Sequence, residues 1–144
     1  MSFIKLDAEG NYLPDDATNH AIVEDEATGL QYAVRAEGFD QMFAHGQAVA
    51  AVAALNHAGG QNWRLPTPQE QFAIVKFVAG GIVADLNLFP DMRAHWYWTD
   101  QPAPGVDDHF FAVYFCQGHV GFLKSSNQAF ARPVRSTVAA GANA

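Results

Sequence analysis

Six histidines, at 20, 45, 57, 95, 109 and 119, one cysteine, Cys116, and three carboxylates in one polar stretch, Asp100, Asp107 and Asp108, are the side chains that could hold a metal or move a proton. The histidines never fall in an HExxH pattern or at a Cys/His spacing that closes a zinc tetrahedron, so no metal is expected. His95, His109 and His119 could approach one another across neighbouring strands, but three separate, individually satisfied rings are the plainer expectation. Cys116 falls in a β-prone run with no evident activating base, where a free thiol behaves as a small buried hydrophobe. The chain has no glycine-rich phosphate loop, no G-x-S-x-G elbow and no carboxylate pair in a setting that would tune one member as an acid. The expectation is therefore no enzyme, no catalytic residue and no cofactor.

Aromatic residues are the more promising material. Trp96-Tyr97-Trp98 reads as extended, and strand alternation sends both tryptophans to one face and Tyr97 to the other. One face must be core. The side that meets the loops could offer a stacking platform for a sugar or an anchor for a partner protein.

Charge narrows the choice of partner. The net charge is −7, and residues 1–40 hold nine acids against two bases, Lys5 and Arg35. Nucleic acid needs clustered Lys and Arg to replace its counterions, so direct nucleic-acid binding is not expected. The acidic excess reads first as a solvated face that keeps the protein soluble; the sharper alternative is a contact surface at Glu24, Asp25 and Glu26 for a basic partner. A single cysteine excludes an intrachain disulfide and fits assembly in a reducing cytoplasm. MSFIKLDAEG lacks the basic and apolar regions of a secretory leader, and no apolar run reaches the ~18 residues of a membrane span, so neither export nor membrane insertion is expected.

The elements that must position these residues can be read in order. The 144 residues, 49% of them hydrophobic, suffice for one domain with a real core. Phe3 to Asp7 alternates as a short strand or arm. Ala21–Asp25 and Leu30–Val34 flank a turn in which Gly29 supplies positive φ, which predicts a hairpin. The Ala-rich stretch Gln41–His57 predicts a first helix with Val49, Val52, Ala53 and Leu55 near helical spacing. Thr67 as N-cap, Pro68 at the first helical position and Glu70 three residues after the cap form a capping box for a second helix. That helix should bury Phe72, Ile74, Val75 and Val78 and stop at Gly80-Gly81. Gln101 to Gly105 is a loop, Phe110–Cys116 and His119–Lys124 predict a hairpin around a two-residue Gln117-Gly118 turn, and Phe130–Ser136 is a closing strand.

At Asn62-Trp63-Arg64-Leu65-Pro66-Thr67-Pro68-Gln69-Glu70 the chain resembles a bacterial and phage family named for the C-terminal domain of the Legionella collagen-like adhesin. Asp25 to Leu30 resembles that family's entry hairpin, Trp96 to Thr99 its aromatic strand, and Phe115 to Gly118 with Pro133 to Ser136 its closing strands, all in the family's order. The resemblance runs from about Ala21 to Ser136. Tyr32 departs from it, standing where many members carry Trp, and residues 1–20 lie outside it. It implies an α+β, C-type-lectin-like fold with two helices packed on short twisted antiparallel sheets, long loops on one side and no common catalytic activity. Read on its own residues, the block is a structural corner: Trp63 and Leu65 point inward, and Arg64 serves backbone carbonyls or a carboxylate rather than catalysis. Gln101-Pro102 superficially resembles the loop of calcium-dependent sugar-binding lectins, but Ala103 stands where a third oxygen ligand is needed and no Trp-Asn-Asp follows.

These readings converge on an arm at 1–20, a domain at 21–136 and a tail at 137–144. The expected function is that of a phage or prophage binding module, virion-associated or used in host attachment, which meets a protein or a surface glycan through loops 99–109 and 117–128. Its contact residues are expected among Trp96, Trp98, Asp100, Gln101, Asp107, Asp108, His109, His119 and Lys124, with Trp63, Arg64, Thr67 and Glu70 structural. Assembly into a homo-oligomer or larger particle is part of that expectation. The alternative is an intracellular anti-defence inhibitor that turns Glu24, Asp25 and Glu26 against a basic, nucleic-acid-binding host complex. The chain would be made in the cytoplasm and end in the virion or the host cytoplasm.

Overall fold

Short β-prone runs separated by glycine turns and capped helical segments give an α+β structure. The computed structural model describes residues 2–137. In chain order the elements are β1 (Phe3–Leu6), β2 (Tyr12–Leu13), β3 (Ile22–Asp25), β4 (Leu30–Ala33), α1 (His45–Ala54), α2 (Pro68–Phe72), β5 (Trp96–Pro102), β6 (His109–Tyr114), β7 (His119–Lys124) and β8 (Val134–Ser136). They form a five-stranded sheet, β2-β1-β3-β4-β8, and a three-stranded sheet, β5-β6-β7, with every strand pair antiparallel.

The β3–β4 hairpin closes where the sequence predicts it. Gly29 takes φ 73°, its N–H donates to the Asp25 carbonyl at 2.8 Å, and Asp25 pairs with Leu30. Residues 1–20 supply β1 and β2, and β1 lies between β2 and β3 within the sheet. Its Lys5 is 1% exposed, and its ammonium donates to the carbonyls of Asp15 and Ala17, both at 2.6 Å, and to Asn87 Oδ1 at 2.9 Å. Three donors thus meet three acceptors. Of the expected tail, only Thr137 is described; 138–144 lie outside the described residues.

Five elements differ from the sequence expectation. β5 runs on through Gln101 to Pro102, which pairs with Phe110, where a loop is expected from Gln101 onward. The first helix is shorter than Gln41–His57, and its buried stripe is His45, Ala48 and Val52, which leaves Val49 45% exposed. The second helix ends at Phe72. Beyond it Val75, Lys76 and Phe77 are β-branched, long and aromatic, and the chain turns extended: Val75 bridges Ala84, and the Lys76 N–H donates to the Val83 carbonyl. Gly80 and Gly81, φ 122° and 89°, close that excursion and do not cap a helix. Of the four side chains expected on its buried face, Ile74 is buried, Val75 is partly so, and Phe72 and Val78 are exposed. The β6–β7 turn has four residues, Phe115–Gly118, because Phe115 is held fully buried in the core, and Cys116 sits half-buried in this turn, outside either strand. The closing strand shrinks to β8, while Phe130 bridges Tyr97 and Ala129 bridges Phe43.

The two sheets share a core in which Tyr32, Val34 and Val134 meet Tyr97, Val113, Phe115 and Phe130. The opposite face of the three-stranded sheet packs Trp98 and Ala112 against Ala48 and Val52 of α1. A second buried cation, Arg132 (3% exposed), locks the middle of the molecule: Nη1 donates to both Asp91 carboxylate oxygens, at 2.8 and 2.9 Å, and to the Ala33 carbonyl at 2.9 Å. Its guanidinium also lies 5.0 Å from the Phe89 ring centroid.

Candidate functional site

The corner formed by residues 63–70 is built from local hydrogen bonds. Thr67 Oγ1 accepts from the Glu70 N–H at 3.2 Å, and Glu70 Oε1 accepts from the Thr67 N–H at 2.9 Å, so both halves of the capping box are made. The same carboxylate takes a two-pronged contact from Arg64, Nη1 to Oε1 at 2.8 Å and Nη2 to Oε2 at 2.9 Å. Burial alone would raise the Glu70 pKa, but the hydrogen bonds from Arg64 and the Thr67 N–H outweigh it and hold the carboxyl below its ordinary range. Trp63 (3% exposed) donates its indole N–H to the Gly60 carbonyl at 3.1 Å, and the Arg135 guanidinium lies 4.2 Å over its ring.

Beside this corner, a groove of about 540 Å³ runs between α1 and the start of β6. Its walls are Val49, Val52, Ala53, Trp63, Leu65 and Phe110, and its polar groups are His45, Arg64 and Asp100. A mostly apolar concavity with a few convergent polar groups is the usual form of a binding site. His45 is fixed at one end: Nε2 donates to the Thr99 carbonyl at 2.8 Å, and the ring stacks on Phe110 at 3.5 Å. Burial lowers the His45 pKa, so its neutral form is favoured. Burial raises the Asp100 pKa, reinforced by the Glu70 carboxylate and opposed by Arg64. No Ser, Thr or Cys lines the groove, so it presents no hydroxyl or thiol nucleophile.

The predicted contact residues separate into two groups. Asp107, Asp108, His109 and Lys124 gather at the end of the three-stranded sheet where β6 begins and β7 ends. There His109 pairs with Lys124, Asp108 Oδ1 accepts from Ser125 Oγ at 2.6 Å, and His109 Nδ1 donates to the Asp107 carbonyl at 2.7 Å. Asp100 and Gln101 lie on the exposed last part of β5, and Asp100 reaches the groove. His119 lies at the other end of β7, about 17 Å away at the rise of an extended strand. It forms an aromatic cluster there with Trp96 and Tyr114, whose rings stack at 4.7 Å. Loops 99–109 and 117–128 therefore share one end only at 107–109 and 124–125, whereas 117–119 lies at the hairpin's turn on the opposite side.

Trp98 cannot serve as a contact. It is fully buried, its indole N–H donates to the Phe43 carbonyl at 2.8 Å, and His45 packs edge-on against it. Trp96 is partly buried and lies over Gly121, where a Cβ would come within 2.8 Å of the indole. Nor do Glu24, Asp25 and Glu26 form one acidic surface. Asp25 is 7% exposed and accepts the Ala27 N–H within the turn, Glu24 accepts from Gln31 Nε2 at 2.8 Å, and Glu26 alone is exposed.

Among the described residues, no group of three or more His, Cys, Asp or Glu side chains is placed to hold a metal ion. The histidines are engaged one by one: His20 with the Leu88 carbonyl, His57 with the Ala21 carbonyl, and His95 through Nδ1 with the Trp96 N–H. No helix among these residues is long and apolar enough to cross a membrane. Sequence reasoning missed the groove because its walls come from four separate segments. The one available signal was Val49, an apolar residue on a helix whose buried stripe does not need it.

The described residues thus form an α+β domain with a mostly apolar groove beside the capped corner. The chain belongs to the Lcl C-terminal domain family, whose sequence model matches residues 21–135. No curated protein matches it.

Proposed function

We propose that this protein is a non-enzymatic, C-type-lectin-like binding module of a phage or prophage, virion-associated or used in host attachment. It takes a protein or glycan partner in the groove between α1 and β6. The groove carries this reading: apolar walls, a fixed His45 and a rim carboxylate at Asp100 form a ready-made cleft on the protein surface. Family membership supports it, since an adhesin-like domain acts by binding.

The test is capture from host envelope, virion and cytosolic fractions with wild type, Val49→Glu, and the pair Glu24→Gln/Glu26→Gln. Val49 is half-exposed, so Val49→Glu should leave the fold intact while placing a charge in the groove. Capture of an envelope glycan or a virion protein that Val49→Glu abolishes and the acidic pair leaves unchanged is the expected result. Capture of a single cytosolic complex, lost in the acidic pair or at high salt and indifferent to Val49→Glu, would overturn the proposal in favour of an intracellular inhibitor.

A further inference from the structure

The ends of the two sheets are treated differently. In the five-stranded sheet the outer strands are short: β2 has two residues, and β8 has three, with Val134 hydrogen-bonded to Arg64 on its outer side at 2.8 and 2.9 Å. In the three-stranded sheet, the outer side of β5 is filled by the Phe130 carbonyl and N–H and by the Pro66 carbonyl, all at 2.9 Å. β7 has no such cover. Its six residues pair with β6 on one side, and among the described residues no strand lies on the other. Outside the β6 ladder, the one backbone bond to this strand from among the described residues is from the Asn127 N–H to its last carbonyl, Lys124. A bare edge of this length is a template for another strand.

The same strand carries an apolar face. Val120 and Phe122 alternate outward, 42% and 49% exposed. Phe77, 69% exposed, lies against Gly118 at the foot of β7, and α2, which bears the 38% exposed Phe72, packs on β6 and β7. Half-exposed aromatic side chains collected beside an open edge are rare on a surface with no contact to make.

We propose that β7 is the interface of a homodimer, in which two copies pair their β7 edges antiparallel about a two-fold axis at Gly121 and continue the sheet to six strands. Antiparallel partners must point to the same face, so a register centred on Gly121 sets Val120 opposite Phe122 of the second copy, and the reverse. The apolar residues of both copies then fuse into one patch on one side of the joint sheet.

Charge favours a second copy over a basic partner: residues 119–124 contain no acid and one lysine in a chain of net charge −7. Two acidic molecules meet with least repulsion along an edge free of acids. The exposed parts of Phe72, Phe77, Val120 and Phe122 amount to on the order of 400 Å² of apolar surface per copy at the usual size of such side chains. Edge pairing covers only part of this surface together with the strand backbone, an interface smaller than the roughly 800 Å² per partner of a standard one, which suits a weak dimer that dissociates on dilution.

The experiment is sedimentation equilibrium of the full chain from about 5 to about 500 μM, a range that brackets micromolar to sub-millimolar dissociation constants. It is run beside hydrogen exchange of the 119–124 amides at both ends of that range, and repeated with Val120→Lys/Phe122→Lys. The expected result is a concentration-dependent dimer with β7 amides that gain protection as it forms, and a monomeric, normally folded double variant. A wild type that stays monomeric throughout, a dimer that persists in the variant, or β7 amides indifferent to concentration would each overturn the proposal. The exchange measurement on wild type decides the matter even where the variant does not fold.

Discussion

The five-stranded and three-stranded sheets share a core and solve the problem of polar groups in opposite ways. Around the first, buried charges brace distant segments: Lys5 ties β1 to the loops at 15–17 and 87, and Arg132 ties β4 to Asp91. Around the second, apolar groups stay in water, on the groove rim at Val49 and along β7 at Val120 and Phe122. Polar groups buried without partners cost far more than apolar groups left exposed, so the braced side is committed to the fold while the other keeps surface free for contact. The lesson is that acidity by sequence count and availability by geometry part company here. The N-terminal quarter is rich in charge, but Asp25 and Glu24 are already engaged.

The contrast can be broken most forcefully at Asp91. Asp91→Ala strands the buried Arg132 without its counter-charge and should cost about 3–5 kcal/mol in denaturant unfolding; a loss below about 1 kcal/mol would show that the brace is dispensable. Acid should act in the same direction. Burial lowers the pKa of His20 and of His45, so the unfolded chain binds those protons more readily. Their contribution is complete above the ordinary histidine value of 6.5 and is lost as pH falls from there through the lower folded values. Asp91 adds a second loss: the Arg132 charge and hydrogen bonds outweigh burial and lower its pKa, so its stabilisation is present above 3.8 and disappears as pH falls through the folded value. Thermal melts stepped from neutral to acidic pH should show both declines. A melting temperature flat through 6.5 would speak against buried neutral histidines.

Smaller effects sharpen the other side. Thr67→Ala removes the cap of α2, the helix that rests on the three-stranded sheet, and should cost about 1 kcal/mol. Breaking the half-exposed Arg64–Glu70 pair by Arg64→Met should cost no more than about 1 kcal/mol, measured by the same unfolding. Val120→Lys/Phe122→Lys should change monomer stability by no more than about 0.5 kcal/mol per site, since these side chains are already in water. A large loss there would mean that β7 belongs to the braced side after all.

What the sequence disclosed was short in range. The Gly29 hairpin and the Thr67–Glu70 box could be read because their partners stand within four residues, as could the alternation that separates Tyr97 from Trp96 and Trp98. The burial of Arg132 could not: Asp91 is 41 residues away, and Ala33 is 99. The early end of α2 was hidden because Ile74, Val75 and Val78 satisfy helical spacing, while the bonds that pull residues 75–76 into extended form come from Val83 and Ala84. Loop positions carry no sign of which end of a hairpin they occupy, so sequence alone groups the contact residues as one surface. Only the β6–β7 register shows that His119 and Lys124 face different neighbours.

The buried lysine of β1 bears on what counts as one inherited piece. The family match begins at residue 21, whereas β1 fills the side of β3 that would otherwise lie bare, and Leu6 and Ile4 pack in the cluster with Ile22 and Trp63. A polypeptide started at Ala21 would keep every residue by which its ancestry is recognised and lose the strand that shields β3. It should aggregate through that newly opened edge, so the shortest recognisable relative and the shortest self-sufficient one are different molecules.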